Sequence, residues 1–246
     1  STPLYSSAAS DVYKRQFTDI VAYHPDGSIT TDKLLSSNPG KYEDPAEEGI
    51  RRALNINSET MLSEKPIIDV RIGTTIATNA LLERKGTRTL LLITKGFKDA
   101  LRIGYQSRPN LFDLKISLPP ILYDQVIEAD ERISANGSVL KKLDLKSTRT
   151  SLERAYGCGF RSVAILFMHG YQYNDHEARA AEIAAELGFN QISTSHGTSP
   201  LMKFVGRGDT TVADAYLTPS LRSYVDRITK NLGNTPLYFM QSHGGL

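Results

Sequence analysis

The hydrophobic pattern of the chain combines short continuous apolar runs with segments of helical spacing. Residues 88–94 and 162–168 are apolar runs of strand length, which is typical of strands covered on both faces. An alanine-rich helical pattern over 176–187, with Asp175 as its cap, follows the second run, and 191–195 is predicted as a further strand. Because strands and helices alternate here, the pattern predicts an α/β domain with a parallel sheet.

Residues 71–86 join an apolar strand to a helix through a turn rich in hydroxyl groups. The segment 67–72 is predicted as a buried strand, and Thr75 as the cap of a helix that Gly86 ends. The strand at 88–94 follows, so a parallel crossover is expected. A helix N-terminus carries unpaired N–H groups and partial positive charge, which suits an anion. An ordinary turn whose hydroxyls only cap the backbone favours the same residue types, so both interpretations stay open on the residues alone.

The remaining patterns predict hairpins, helices, one long loop and a final strand. They are a hairpin with strands at 17–23 and 28–33, a helix over 45–54, a surface loop over 102–125, a hairpin with strands at 125–132 and 139–143 around the turn at 135–137, a helix over 146–156, separate helices over 210–216 and 219–232, and a strand over 237–242.

Composition and charge narrow the class of protein. The chain has 246 residues, of which 40% are hydrophobic and 23% charged, as in ordinary globular proteins. Lysine and arginine (29) nearly balance aspartate and glutamate (27), and the basic residues are scattered, so neither nucleic acid nor an anionic membrane is expected as a partner. The single cysteine, Cys158, excludes an internal disulfide, and we expect a cytoplasmic protein.

Two histidines suggest a candidate metal site. His169 follows a predicted strand and His176 opens a helix, which permits a metal site. No further HxH or CxxC set accompanies them, however, so an ordinary loop between strand and helix is favoured and no metal is predicted. His196 is predicted as a loop residue.

The segment 73–86, GTTIATNALLERKG, resembles the signature of the hydantoinase/5-oxoprolinase family. The resemblance continues through 94–99 (TKGFKD), 112–114 (FDL), 122–132 (LYDQVIEADER) and 240–246 (MQSHGGL), and it covers nearly everything after residue 16. It implies an α/β fold of the actin-like ATPase (ribonuclease H-like) type, with mixed or parallel sheets and flanking helices.

The first sixteen residues fall outside this resemblance. Residues 6–16 resemble the conceptual translation of a transposase-type sequencing adapter, so we expect 1–16 to be an artefact, with a polar disordered tail as the alternative. The expected organisation is then the family's N-terminal domain over 17–233 and the start of the following domain over 234–246. On this interpretation the chain is truncated at both ends.

Family members carry Asp-x-Gly-Gly-Thr-Phe-Thr-Asp in their first hairpin, where the glycines let backbone amides approach nucleotide phosphates. Only Phe17-Thr18-Asp19 of that motif is present here. Val12, Lys14 and Arg15 occupy the positions of the first aspartate and the two glycines. The polypeptide as written is therefore expected to bind ATP poorly.

For the intact protein, the resemblance implies hydrolysis of 5-oxo-L-proline to L-glutamate with ATP and Mg²⁺, by a homo-oligomer. The candidate nucleotide- and substrate-binding residues that it implies are Thr18, Asp19, Gly73, Thr74, Thr75, Thr78, Asn79, Gly244 and Gly245. His243 departs from the family's usual Asn or Asp, and no general base is assigned.

Two other functions stay open at this point. The segment 207–219, which begins Arg207-Gly208-Asp209, resembles the oxoprolinase branch rather than hydantoinase or ketone-carboxylase subunits. The Arg-Gly-Asp triplet itself is predicted as a turn before a helix. A hydantoinase or ketone-carboxylase subunit is the enzymatic alternative, and an inert folded scaffold is the alternative from a different class.

Overall fold

The computed structural model describes residues 17–36, 38, 40–42, 44–57, 60–105 and 120–240. The described residues form two compact units. The first unit contains those up to Ile76 together with those from Ser223 onward, and the second unit is Ala77–Arg222. The predicted artefact at 1–16, residues 106–119 of the predicted loop, and residues 241–246, with His243, Gly244 and Gly245, lie outside the described part.

The first unit contains two small sheets. Its elements are β1 (Phe17–Tyr23), β2 (Ile29–Leu35), α1 (Pro45–Ala53), a 3-10 turn (Leu62–Glu64), β3 (Val70–Ile72), β10 (Leu237–Phe239) and the end of a long helix, α7 (Phe204–Leu232). β1 and β2 form the predicted antiparallel hairpin, and β3 pairs with β10 in parallel. Leu62, Ile72, Ile228 and Leu232 form its buried core.

Asp44 links two helices of the first unit. Its Oδ1 accepts hydrogen bonds from the N–H groups of Ala46 (2.9 Å) and Glu47 (3.3 Å), which confirms the predicted start of α1. Its Oδ2 accepts from the guanidinium of Arg227 on α7 at 2.8 Å. The same buried carboxylate thus caps α1 and fastens it to the C-terminal part of α7.

The second unit is built on a four-stranded parallel sheet in the order β5-β4-β8-β9. Its elements are α2 (Ile76–Leu82), of which Ile76 belongs to the first unit, β4 (Thr89–Thr94), α3 (Ala100–Ile103), β5 (Gln125–Ala129), β6 (Arg132–Ile133), β7 (Val139–Lys141), α4 (Leu145–Gly157), β8 (Ser162–Leu166), α5 (Asp175–Glu186), β9 (Gln191–Thr194), α6 (Ser195–Thr198) and most of α7. This arrangement confirms the predicted α/β class with a parallel sheet.

Helices cover both faces of this sheet. Leu90 and Leu92 of β4 pack in the cluster that contains Leu152 of α4 and Ile183 of α5. The alternate residues of β4, Leu91 and Ile93, pack with Val212 and Ala215 of α7 on the other face. All residues of β4 and β8 are buried, as the continuous apolar runs predicted.

The predicted crossover through residues 67–94 is wrong. β3 and β4 belong to different sheets, because the three-residue β3 pairs with β10 whereas β4 pairs with β5 and β8. Ile68 is 84% exposed, so the apolar run at 67–72 does not mark one buried strand. The second predicted crossover, from β8 through α5 to β9, is confirmed.

Helix α2 ends before Gly86. Arg84 adopts a left-handed conformation (φ 57°), the N–H of Lys85 bonds to the Ala80 carbonyl at 2.9 Å, and the N–H of Arg84 bonds to the Leu81 carbonyl at 3.4 Å. This is the Schellman pattern with arginine where glycine is usual. Gly86 has a packing role instead, since a Cβ there would lie 2.1 Å from the Tyr216 ring.

The two helices predicted at 210–216 and 219–232 form one continuous helix, α7, with Pro219 inside it. Proline lacks the N–H that would bond to the carbonyl of Ala215, four residues earlier. The hydroxyl of Ser162 on β8 donates to that carbonyl at 2.6 Å, and the N–H of Thr87 donates to the neighbouring Tyr216 carbonyl at 2.9 Å. The freed carbonyls therefore have partners, and the helix continues through the proline.

Smaller corrections concern three other segments. Most of 125–132 pairs in the sheet as β5, and only Arg132–Ile133 forms the predicted hairpin with β7. Asp175 is the first residue of α5 rather than its cap. Arg207-Gly208-Asp209 lies within α7 rather than in a turn. Although α7 has 29 residues, no helix in the described part of the chain is long and apolar enough to cross a membrane.

We expect Ser162→Ala to lower the free energy of unfolding by about 1–3 kcal/mol, because the Ala215 carbonyl is left buried without its donor. In a Pro219→Ala background, residue 219 regains an N–H for that carbonyl, so the same substitution should cost less than half as much. Urea unfolding of the four proteins in this cycle measures both costs. An equal cost in the two backgrounds would contradict the assigned role of Ser162.

Candidate functional site

Thr18 and Asp19, which resemble part of the family's first motif, lie on β1 in the first unit. The half-buried Thr18 shares a hydrogen bond with the Ser36 hydroxyl (3.1 Å between the oxygens). The Asp19 side chain is 75% exposed and lies 3.4 Å from the ammonium group of Lys33. An exposed ion pair of this kind is weak, so the Asp19 carboxylate is accessible to a ligand.

The hydroxyl-rich turn follows β3. Gly73 is exposed, and the Thr74 hydroxyl accepts a hydrogen bond from the Ile76 N–H at 3.2 Å. Thr75 and Thr78 are exposed, whereas Asn79 is half-buried on α2. This bond stabilises the turn before α2 and uses one N–H of its first turn, while the predicted cap, Thr75, directly precedes the helix.

The segment also divides between the two units. Residues up to Ile76 belong to the first unit, and Thr78 and Asn79 belong to the second. Helix α2 has only seven residues, so its dipole adds little attraction for an anion. A role of these residues in nucleotide or substrate binding stays a prediction.

The structure reveals a buried polar network at the carboxyl edge of the parallel sheet. Glu131 is 2% exposed, and its Oε2 lies 2.7 Å from Nδ1 of His176 on α5. Its other oxygen accepts from the hydroxyl of Thr94, at the end of β4. That hydroxyl in turn accepts from the Met168 N–H at 2.8 Å. The chain of bonds connects the ends of β4 and β8 with the start of α5.

Glu177 is fully buried and forms a second polar cluster at the same edge of the sheet. Its Oε1 accepts from the Phe167 N–H (2.8 Å) and the Ser195 hydroxyl (2.5 Å). Its Oε2 accepts from the His196 N–H at 3.1 Å and lies 2.7 Å from Nδ1 of the same residue. With both oxygens engaged, the carboxylate joins the segment after β8 to helix α6, which directly follows β9. Gly170 leaves room for it, since a Cβ there would lie 2.4 Å from Oε1.

Arg207 on α7 is a further buried polar residue at the carboxyl edge of the sheet. Its guanidinium is fully buried and donates to the carbonyls of Phe167 (2.7 Å) and Leu201 (3.2 Å). The rings of Tyr171 and Phe204 lie 5.3 Å and 5.6 Å from it. Burial lowers the pKa of Arg207, and the negative charge of Glu177 acts in the opposite direction. The triplet that contains Arg207 therefore has a structural function.

These contacts account for His176 and His196. His176 and His196 each direct Nδ1 at a buried carboxylate, an arrangement that fixes the orientation of an imidazole. His196 lies in the short helix α6 rather than in a loop. No group of three or more potential metal ligands occurs among the residues that the structure describes.

Sequence reasoning missed Glu131, Glu177 and Ser195 as members of a site. Glu131 lies in the segment 122–132 that carries the family resemblance, but nothing in its spacing indicates His176 as its partner. The pairing depends on the order of strands in the sheet, which brings the ends of β4, β8 and β9 to the same edge.

A separate open cleft of about 750 Å³ lies at the carboxyl ends of the strands, in the second unit. Its lining residues are Lys95, Gly96, Phe97, Lys98, Asp99, Ala100, Ile103, Gly104, Glu128, Met168, Phe204 and Val205. Phe97 and Phe204 pack against each other with ring centres 5.4 Å apart. The cleft combines apolar walls with charged groups, as small-molecule sites do.

Comparisons with family models and with known proteins identify the same family. The family model described as the hydantoinase/oxoprolinase N-terminal region matches residues 16–188, and a second model, hydantoinase/oxoprolinase, matches 207–246. The chain is 40% identical to 5-oxoprolinase of Dictyostelium discoideum and 39% identical to 5-oxoprolinase 1 of Arabidopsis thaliana, in each case over 94% of its length. It spans about a fifth of the length of these relatives.

Two solved structures share the fold. The ATP-dependent caprolactamase of Pseudomonas jessenii is 28% identical with a TM-score of 0.78, and the match covers 94% of this chain and 35% of that one. A nucleotide-free acetone carboxylase is 17% identical with a TM-score of 0.73 and the same coverage. The α/β architecture with parallel strands is therefore shared, while the predicted boundary at 233/234 stays a prediction.

Replacing Glu177 tests how much its buried hydrogen bonds contribute to stability. We expect Glu177→Gln to lower the free energy of unfolding by about 3 kcal/mol, because its four donors then meet an amide group that no longer accepts at both ends. Glu186→Gln is the matched control on the same helix, where an exposed pair with Arg149 should change stability by less than about 0.5 kcal/mol. Equal effects in urea unfolding would show that the Glu177 contacts contribute little.

Proposed function

Because the chain belongs to the hydantoinase/oxoprolinase family, we propose that the whole protein is an ATP-dependent hydrolase that opens 5-oxo-L-proline to L-glutamate. The observation that carries this proposal is the identity of about 40% with proteins named 5-oxoprolinase, which extends over 94% of the chain. A relative named acetophenone carboxylase gamma subunit is 33% identical over only 64% of the chain. The branch of the family is thus inferred from similarity and coverage.

The chemistry explains the use of ATP. A five-membered lactam resists attack by water, and transfer of the γ-phosphoryl group to its amide oxygen would give a better electrophile. Water then adds to the carbonyl carbon, and the ring C–N bond breaks as the nitrogen takes a proton, which leaves an acyl phosphate. A second water attacks this acyl phosphate and releases L-glutamate and phosphate. Such a reaction requires groups that stabilise charge on phosphate and carbonyl oxygens.

We assign nucleotide binding to the residues of the family motifs, within an actin-like ATPase type of fold. The exposed Asp19 carboxylate suits Mg²⁺, which uses one or two carboxylates together with substrate phosphates and keeps several waters. Bound Mg²⁺ would neutralise phosphate charge. The exposed hydroxyls of Thr75 and Thr78 are suitable donors to phosphate or carbonyl oxygen.

The proposed reaction makes a direct prediction for the whole protein. We expect ADP release that depends on 5-oxo-L-proline, with one L-glutamate formed for each ADP, and no such coupling with hydantoin or acetone. Coupled assays of ADP and glutamate measure both products. Turnover of hydantoin or carboxylation of a ketone would favour the alternative family activities, and absence of all three would favour the inert scaffold.

Substitutions in the signature separate a catalytic role from a structural one. In the whole protein, we expect Thr78→Ala to lower turnover about 100-fold, the effect of losing a donor worth about 3 kcal/mol in the transition state. Its melting temperature should change little, because Thr78 is exposed on α2. Thr150→Ala, at an exposed position of α4, is the control. If activity and melting temperature fall together, the hydroxyl is structural.

A further inference from the structure

We propose that the open cleft of the second unit binds the small cyclic amide itself, with Lys98 paired to a carboxylate of the ligand. This inference rests on the proposed function, which supplies the class of substrate. All residues that line the cleft belong to the second unit.

The location follows from the order of strands. β4 comes first along the chain, β5 lies on one side of it, and β8 and β9 lie on the other. Connections from neighbouring strands therefore diverge at the ends of β4 and β8. In open parallel sheets, ligands bind in the crevice at such a switch point, outside the carboxyl ends of the strands. Residues 95–100 follow β4, and Met168 follows β8, so the cleft occupies this crevice.

The walls suit a small aliphatic ring. Phe97 and Phe204 form one aromatic pair, and Met168, Ile103 and Val205 add further apolar surface. Arg132 stacks on Phe97 with its guanidinium carbon 4.9 Å from the ring centre, and donates to the Lys95 carbonyl at 3.1 Å, which holds the turn after β4 in place. A cleft of about 750 Å³ is within the range of ordinary ligand sites.

The charged side chains of the cleft indicate which polar groups a bound ring should carry. Lys95 lies 3.7 Å from Asp130, and Glu128 accepts the Gly96 N–H at 2.7 Å, so both have partners within the unit. Lys98 and Asp99 line the cleft with no ion pair or side-chain hydrogen bond to another described residue. A cation and an acceptor at consecutive positions match a ligand with a carboxylate next to an N–H group. In 5-oxo-L-proline the carboxylate-bearing carbon adjoins the ring nitrogen.

The test is a binding measurement on the 246-residue chain, without ATP. With ¹⁵N-labelled protein, we expect 5-oxo-L-proline to shift the amide signals of 96–100 and of Phe204 and Val205. Lys98→Met should weaken this binding about tenfold, the loss expected for one charge-assisted hydrogen bond. Binding of 2-pyrrolidinone, which lacks the carboxylate, should be unchanged by the same substitution.

Two further variants control the experiment. Lys142→Met removes an exposed cation of the same unit that does not line the cleft, and it should leave both affinities unchanged. Val205→Phe fills the cleft and should abolish binding of both ligands. Unaltered signals, shifts confined to other residues, or equal effects of Lys98→Met on the two ligands would overturn the proposal.

This outcome is independent of the activity assay. If the whole protein hydrolyses 5-oxo-L-proline while the cleft signals stay unchanged, the cleft assignment fails and the proposed function stands. If the cleft binds 5-oxo-L-proline as described while the whole protein lacks the coupled reaction, the site stands and the proposed function fails.

Discussion

The pairing of β4 on both of its edges is the constraint on which the second unit depends. β4 is buried along its whole length because β5 and β8 flank it and helices cover both faces. Its side chains alternate between two separate hydrophobic clusters, so one strand supplies apolar surface to both layers of the unit. A polar substitution within β4 would therefore disturb both layers, whereas the same change in an edge strand would affect fewer contacts.

The end of β4 also determines where the buried polar residues and the open cleft lie. Where β4 ends, Thr94 points toward the layer of α4 and α5 and joins the buried network of Glu131 and His176. The residues that follow form one wall of the cleft on the side of α3 and α7. The carboxyl edge thus carries two distinct environments. One consists of buried carboxylates whose oxygens are engaged by donors. The other is an open apolar surface where Lys98 and Asp99 form no ion pair with another described residue.

The local features of this chain were predictable, and the long-range ones were not. The continuous apolar runs identified β4 and β8, and the helix predicted from residue 45 begins there as α1, because burial and capping depend on neighbouring residues. Pro219 wrongly suggested a break, since its tolerance within α7 depends on the Ser162 hydroxyl, 57 positions earlier in the sequence. For the same reason, the hydrogen-bond partners of Glu131 and Glu177 could not be predicted from the sequence. Their contacts can be inferred only once the order of strands is known.

The two sets of candidate binding residues differ in what they are able to bind. Thr18, Asp19, Thr75 and Thr78 lie on a hairpin, a turn and a short helix, and they offer hydroxyls and one accessible carboxylate with little apolar surface. Such groups suit a metal–phosphate ligand, whose binding rests on charge and hydrogen bonds. They give a small aliphatic ring nothing to pack against. A lactam requires a concave apolar surface to gain binding energy from its methylene groups, and among the described residues the cleft beside Phe97 provides that surface. The signature residues therefore suit the polar groups of a ligand, and the cleft offers the concave apolar surface that they lack.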